Sequence, residues 1–196
     1  MADPIARIIA AEALADARWL RLFKVLYRCA GGADRSWVVA TRSERPRCTS
    51  GRFETPDAVV IVAYHRASAR IVVTREYRVA LAGCEYGFPA GLVEAGESVE
   101  AAARRELLEE TGLKATRVMR TSPCLYSSAG MTDESVVMVY VECEGEPSVA
   151  GNDSSELIEV LLLSPEEAGR LCGDAALKFD AKAWLVLSGF AASGAI

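Results

Sequence analysis

The segment from Gly91 to Leu113 constrains the fold of this chain more than any other part of the sequence. Ser98 is a good helix N-cap because its hydroxyl can accept a hydrogen bond from a free backbone amide. Gly112 is a good helix stop because glycine adopts the left-handed conformation without steric cost. The sequence therefore predicts a helix of about three to four turns over Val99–Thr111.

Three glutamates of this predicted helix, Glu106, Glu109 and Glu110, fall on one face. At about 100° per residue, they lie within a sector of roughly 100°. Like charges at this spacing destabilise a helix by a few tenths of a kcal/mol per pair, and a hard divalent cation such as Mg²⁺ or Mn²⁺ relieves the repulsion. The alternative is a solvated acidic face, which the carboxylates by themselves favour.

The spacing of the whole segment overturns that alternative. It reads Gly, five residues, Glu, seven residues, Arg-Glu-aliphatic, one residue, Glu-Glu, one residue, Gly-aliphatic. A chance match somewhere in a chain of this length has odds on the order of one in a million. The segment resembles the Nudix box, and the chain is identified as a member of the Nudix hydrolase superfamily. The matching positions are Gly91, Glu97, Arg105, Glu106, Leu107, Glu109, Glu110, Gly112 and Leu113.

The resemblance implies a role for each residue of the box. It implies a hydrolase that cuts a nucleoside diphosphate linked to another group, with Mg²⁺ as cofactor and Mn²⁺ as the second choice. Glu97 and Arg105 would tie the loop before the helix to the helix, and Gly91 would let the backbone approach a diphosphate. The implied metal ligands are the carboxylates of Glu106, Glu109 and Glu110 and the backbone carbonyl of Ala90.

The flanks of the box narrow the expected substrate. Arg75 to Arg78 reads Arg-Glu-Tyr-Arg and Phe88 to Gly91 reads Phe-Pro-Ala-Gly, and both resemble the ADP-ribose pyrophosphatase group. The resemblance implies hydrolysis of ADP-ribose to AMP and ribose 5-phosphate. Two positions depart from that group, Ala129 where many members have proline and Gly87 where many have glutamate. These departures leave room for other sugar nucleotides.

The same resemblance implies residues that act on the substrate. Arg78 would grip a phosphate, for which a forked guanidinium is suited. Trp37 would stack on the base, with packing into the core as an equal alternative. Arg42 would lie near the base, although composition favours an exposed loop at that position. Glu134 also belongs to the implied substrate-binding residues. Glu156 would act as general base or join the metal site.

Two other functions stay open. The chemistry could serve another nucleotide, such as a nucleoside triphosphate, a dinucleotide or a compound like coenzyme A. A non-catalytic Nudix domain that senses a nucleotide is the third reading. The complete set of box carboxylates argues against it.

The order of predicted elements mixes hairpins with a few helices, which is typical of an α+β protein. The resemblance implies the Nudix fold, with mixed β-sheets packed between helices in an α/β/α layered sandwich. We predict that residues 1–50 hold an N-terminal helix over Pro4–Ala17 and a hairpin, as a candidate dimer interface, and that residues 51–196 form the Nudix hydrolase domain. A loop is predicted over Thr41–Pro56. The predicted strands are Trp19–Cys29, Ser36–Thr41, Ala58–Tyr64, Ile71–Thr74, Thr116–Thr121, Ser135–Cys143 and Glu159–Leu163, and the further predicted helices are Pro165–Cys172 and Asp180–Phe190.

Composition sets the expected surroundings of the protein. The formal net charge of -5 disfavours binding to nucleic acid, which requires a basic surface. The six cysteines are scattered without zinc spacing, so free thiols in a reducing compartment are expected. Neither a signal-peptide pattern nor an apolar run of membrane-spanning length is found. We therefore expect a cytoplasmic protein without a membrane partner. The resemblance further implies that the protein is a homodimer.

Overall fold

The computed structural model describes residues 5–150 and 157–196, which belong to two compact units. The N-terminal unit comprises residues up to Asp57 together with Cys124–Val136. The box unit comprises Ala58–Pro123 and Val137–Ile196. The α+β class with mixed sheets and several helices is confirmed. The division into residues 1–50 and 51–196 stays a prediction.

A three-stranded antiparallel sheet dominates the N-terminal unit. Its strands are β1 (Ala6–Ala17), β2 (Leu20–Cys29) and β3 (Asp34–Thr41), in the order β1-β2-β3. The turn between β2 and β3 is closed by the Gly32 amide, which donates to the Cys29 carbonyl at 2.9 Å. Gly32 has a φ of 82°, a conformation that favours glycine. The hairpin predicted for this part of the chain is confirmed.

The predicted helix over Pro4–Ala17 is wrong. Residues Ala6–Ala17 form β1, which pairs with β2 from Ala6 opposite Cys29 to Ala17 opposite Leu20. Alanine has a high helix propensity, but local propensity is a weak preference that tertiary pairing overrides. Pro4 itself lies outside the described residues.

The rest of the N-terminal unit is a loop with little regular structure. The loop predicted over Thr41–Pro56 holds one helical turn, α1 (Arg47–Ser50). Further along the chain, β9 (Leu125–Tyr126) pairs with the first two residues of β10 (Ser135–Glu144). The Ala40 amide donates to the Met131 carbonyl at 2.9 Å, which ties the segment before β10 to β3.

The sheet of the box unit has the strand order β11-β5-β4-β10-β8, with β6 paired to β5 and β7 paired to β4. The predicted strands are present, and β5 extends four residues beyond its predicted end at Thr74. The short strands β6 and β7 were not predicted. The remaining bounds are β4 (Ala58–His65), β5 (Arg70–Arg78), β6 (Gly83–Gly87), β7 (Ala90–Leu92), β8 (Lys114–Thr121) and β11 (Ile158–Leu163), with a 3-10 turn at Val79–Leu81.

Three helices pack on this sheet. They are α2 (Val99–Thr111), α3 (Pro165–Cys172) and α4 (Ala181–Ser193), and α2 has the predicted bounds. α2 packs against β4, β7 and β8, while α3 packs against α4 and β11. The core that they cover is apolar and fully buried. It includes Val59, Ile61, Val62, Ile71, Val72, Val73, Leu107, Leu113, Leu187 and Phe190.

None of the helices among residues 5–150 and 157–196 is both long enough and apolar enough to span a lipid bilayer.

The N-cap of α2 should contribute measurably to stability. The Ser98 hydroxyl accepts a hydrogen bond from the Ala101 amide at 3.2 Å. Ser98→Ala should lower the free energy of unfolding in urea by about 1 kcal/mol, because the amide loses its partner. Ser98→Asp keeps an acceptor and should unfold like the wild type. Equal stability of the alanine variant would contradict the role of this cap.

Candidate active site

Strand β7 and helix α2 hold the residues of the box in place. β7 pairs with β4, with Ala90 opposite Val60 and Gly91 opposite Val59. The Ile61 amide donates to the Pro89 carbonyl at 2.8 Å, and the neighbouring Phe88 side chain is buried. The backbone of residues 88–92 is therefore fixed against a buried central strand.

Arg105 links the loop after β7 to helix α2. Its Nε and Nη2 donate to the two carboxylate oxygens of Glu97 at 3.0 and 2.9 Å, in a bidentate pair. Nη2 also donates to the Leu92 carbonyl at 3.0 Å. The hydrogen bonds from Arg105 lower the pKa of Glu97, and the same contact raises the pKa of Arg105. Both groups are thus held in their charged forms.

The same guanidinium contacts two further carboxylates. Its Nη1 donates to Glu106 at 2.7 Å and to Glu109 at 3.1 Å. Glu110 instead accepts a hydrogen bond from the Ala90 amide at 3.1 Å. Three carboxylates therefore contact one guanidinium, and this group of side chains carries an excess of negative charge.

Gly91 is in direct contact with the Glu106 carboxylate. A Cβ atom at position 91 would lie 1.9 Å from Cδ of Glu106, which is far inside van der Waals contact. Burial raises the pKa of Glu106, although its hydrogen bond to Arg105 acts in the opposite direction. A glycine at this position is what allows a partly desolvated carboxylate to lie against the backbone of β7.

The carboxylates around Arg105 suit a hard divalent cation, provided that Glu109 turns away from Arg105. All its side-chain donors are carboxylate oxygens, which Mg²⁺ and Mn²⁺ prefer, and the excess negative charge calls for a cation. Across residues 5–150 and 157–196, no three acidic, histidine or cysteine side chains converge as a ready-made metal cluster. Arg105 is the cation between Glu106 and Glu109 in this arrangement, and the Glu109 side chain is 54% exposed and able to turn.

Two other predicted residues concern this unit. Arg78 is the last residue of β5, where Nη1 donates to Glu76 at 2.7 Å and Nε lies 3.5 Å from Glu85. Its guanidinium is half exposed, so a phosphate would compete with these carboxylates for it. Glu156 lies outside the described residues.

The remaining predicted residues belong to the N-terminal unit. Arg42 forms an ion pair with Glu134, with Nε and Oε1 2.5 Å apart. Trp37 is 54% exposed, which excludes packing in the core, and its Nε1 donates to the Gly130 carbonyl at 2.9 Å. The structure thus brings Arg42 and Glu134 together in one unit and the box residues together in the other.

An arginine network in the N-terminal unit was missed by the sequence analysis. Arg47 is buried, and its Nη2 lies 2.8 Å from Asp57. Nη1 donates to the carbonyls of Arg52 and Thr55, and the Arg47 amide donates to Asp133 at 2.6 Å. Arginines of a polar loop are usually exposed, so no local signal in the sequence marks this one.

A cavity of about 380 Å³ lies in the N-terminal unit. Its wall holds the rings of Tyr27, Trp37, Phe53 and Tyr126, with Phe53 and Tyr126 in an edge-to-face arrangement at 6.4 Å between ring centroids. Cys48, also in the wall, keeps its proton because burial and the nearby Asp133 carboxylate raise the pKa of its thiol.

Comparisons with known proteins agree with this geometry. The sequence model of the NUDIX domain family matches residues 54–185 of this chain. An ADP-ribose pyrophosphatase of Saccharomyces cerevisiae is 29% identical over 89% of this chain and 78% of its own. An ADP-sugar pyrophosphatase of Mus musculus is 30% identical over 72% of this chain and 62% of its own. A crystal structure of an ADP compounds hydrolase matches with a TM-score of 0.72 at 24% identity, over 95% of this chain and 94% of its own, which shows a common fold.

Proposed function

The chain belongs to the NUDIX family of hydrolases, and from that premise we propose that it hydrolyses the diphosphate bridge of ADP-ribose to give AMP and ribose 5-phosphate. The predicted superfamily is confirmed by the match over residues 54–185. Relatives named ADP-ribose pyrophosphatase and ADP-sugar pyrophosphatase support the substrate class. Water is the second reactant, and the bridging P–O bond is broken.

One observation carries the proposal. The Glu106 carboxylate lies against Gly91, the middle residue of β7, at a distance that only glycine permits. A carboxylate on this backbone is placed to share a cation with a diphosphate that approaches the same glycine. Because the surrounding side chains carry excess negative charge, they would repel a diphosphate unless a cation lay between them.

We assign Mg²⁺ to this site, with Mn²⁺ as the second choice. The proposed ligands are Glu106, Glu109 and Glu110 with the Ala90 carbonyl oxygen. Such a cation neutralises bridging phosphates and lowers the pKa of an attacking water. For Glu109 to bind it, its carboxylate must leave Arg105, which keeps its bidentate contact with Glu97. Arg105 and Glu97 are then positioning residues, since they hold the loop on the helix.

The remaining roles concern the substrate and the proton. We propose that Arg78 and Arg42 bind phosphate oxygens of the substrate. Each arginine then gives up its ion pair with a carboxylate, Arg78 with Glu76 and Arg42 with Glu134. Glu134 holds Arg42 in place until the substrate binds. Trp37 stacks on the base with its exposed ring. Glu156 is proposed as the general base that takes the proton from water.

Turnover of a panel of diphosphate compounds tests the function. ADP-ribose with Mg²⁺ should give AMP and ribose 5-phosphate, identified by mass spectrometry, and EDTA should stop the reaction. The panel includes other sugar nucleotides, a nucleoside triphosphate, a dinucleotide and coenzyme A. The proposal fails if ADP-ribose stays intact while another compound is consumed, and binding without turnover of any compound would indicate a sensing domain.

We further propose a homodimer in which the N-terminal sheet is covered by a second copy. All of β1 except Ala11 is exposed, and large apolar side chains on β1 and β2 face solvent. Exposed apolar surface of this extent is typical of an interface. Light scattering on the purified protein would give a monomer mass if this is wrong.

A cytoplasmic location without a membrane or nucleic-acid partner remains part of the proposal, and cell fractionation tests it.

A further inference from the structure

Asp133 is the one charged side chain among the described residues that line the aromatic cavity of the N-terminal unit. The neighbouring Cys48 adds no charge, since its thiol keeps its proton. At about 380 Å³ the cavity lies at the lower end of the range for small-molecule pockets, roughly 300–1,000 Å³. Aromatic walls with a single carboxylate suit a flat, largely apolar ligand that carries one N–H donor.

The orientation of this carboxylate is fixed by the protein. Its Oδ2 accepts the Arg47 amide at 2.6 Å, and the Asp133 amide donates to the Ala40 carbonyl at 3.3 Å. Arg47 is buried and anchored by Asp57, so the group that holds Asp133 is itself rigid. Within residues 5–150 and 157–196, Oδ1 has no hydrogen-bond donor. One oxygen of this fixed carboxylate is therefore left without a donor, on a residue that lines the cavity.

We propose that Asp133 determines base specificity, by selecting a nucleobase with an exocyclic amino group, adenine in the proposed substrate, over one with a carbonyl in its place. This inference rests on the proposed function for the identity of the nucleotide. An amino group donates to Oδ1, whereas a carbonyl sets two acceptors against each other and leaves the carboxylate without its hydrogen bonds to water. The walls supply stacking, which every base accepts, so the selection falls to Asp133.

Binding of matched nucleotide pairs without metal tests the proposal. AMP and IMP differ in the exocyclic group at C6, an amino group against a carbonyl, and in the adjacent ring nitrogen, which is an acceptor in AMP and an N–H donor in IMP. CMP and UMP differ in the same way at C4 and N3. By calorimetry the wild type should bind AMP about tenfold or more tightly than IMP, and CMP more tightly than UMP. Equal affinity within each pair would overturn the proposal.

Asp133→Asn isolates the carboxylate. Asparagine keeps an acceptor for the Arg47 amide but can present N–H to a carbonyl, so the preference for AMP should fall to within about threefold. Asp34→Asn is the matched control, since Asp34 belongs to the same unit, pairs with Arg28 and does not line the cavity. Thermal unfolding checks that both variants fold. An unchanged preference for AMP over IMP in a folded Asp133→Asn variant would refute the role assigned to Asp133.

Alkylation of Cys48 gives a second readout that does not depend on turnover. Cys48 lines the cavity and Cys172 does not, so peptide mass spectrometry with iodoacetamide, at an alkaline pH where the Cys48 thiolate forms, should show protection of Cys48 alone, by AMP more than by IMP. Absence of protection by any nucleotide, as expected if a second copy fills the cavity, would refute the site.

The two proposals fail in different ways. Equal hydrolysis of ADP-ribose and its hypoxanthine analogue would overturn the role of Asp133 and leave the proposed function intact. Selective binding of AMP by a protein that does not hydrolyse ADP-ribose would overturn the proposed function and support Asp133.

Discussion

Glu106→Gln is expected to lower kcat for ADP-ribose hydrolysis at least about a hundredfold while the protein stays folded. The amide removes one negative charge from the acidic group around Arg105 and replaces a carboxylate ligand with a weaker neutral one. Because glutamine has nearly the same shape, the contact with Gly91 and the packing of α2 should persist. Steady-state rates over a range of Mg²⁺ concentrations, with thermal unfolding as the check on folding, measure the effect.

Glu100→Gln is the matched control. Glu100 lies in the first turn of the same helix, exposed and paired with Arg104, outside the acidic group. The variant loses the same charge from the same helix, so a purely long-range electrostatic effect would appear in both. Glu109→Gln should behave like Glu106→Gln. Near-wild-type rates in Glu106→Gln and Glu109→Gln together would refute the assignment of the metal ligands.

Gly91→Ala should also reduce kcat about a hundredfold or more, for a steric reason. The new methyl group would lie 1.9 Å from Cδ of Glu106, so the carboxylate must leave the backbone of β7. The end of a glutamate side chain moves at little cost in free energy of unfolding, because only side-chain torsions change. Activity should therefore fall while the unfolding midpoint in urea changes little.

Gly189→Ala controls for the gain of a methyl group. Gly189 lies in α4, and a Cβ there would meet no heavy atom within 4 Å. Alanine in a helix should stabilise the protein by about 0.5–1 kcal/mol and leave turnover unchanged. If Gly91→Ala were as active as this control, the contact between Gly91 and Glu106 would have no part in the reaction.

Local signals made the box helix predictable from the sequence. Ser98 and Gly112 set both ends of α2, the second with a φ of 71°, and each acts within a few residues of its own position. The resemblance to the Nudix box likewise implied that Glu97 and Arg105 meet, as they do. It did not imply that Arg105 would also contact Glu106 and Glu109, because side-chain torsions decide that.

Features that depend on distant partners were not predictable. β1 became a strand because β2 pairs with it, although its alanines favour a helix locally. Arg47 is buried, and its amide donates to a carboxylate 86 residues away, at Asp133. The extension of β5 to Arg78 follows from its pairing with β6, a strand too short to show a pattern of its own.

The exposed sheet β1-β2-β3 has a consequence for kinetic work. In the proposed homodimer a second copy covers this sheet, so the burial of the sheet would depend on protein concentration by mass action. Assays usually run at concentrations far below those of structural and unfolding experiments. Rates of variants can therefore be compared only at one enzyme concentration, with a dilution series of the wild type beside them.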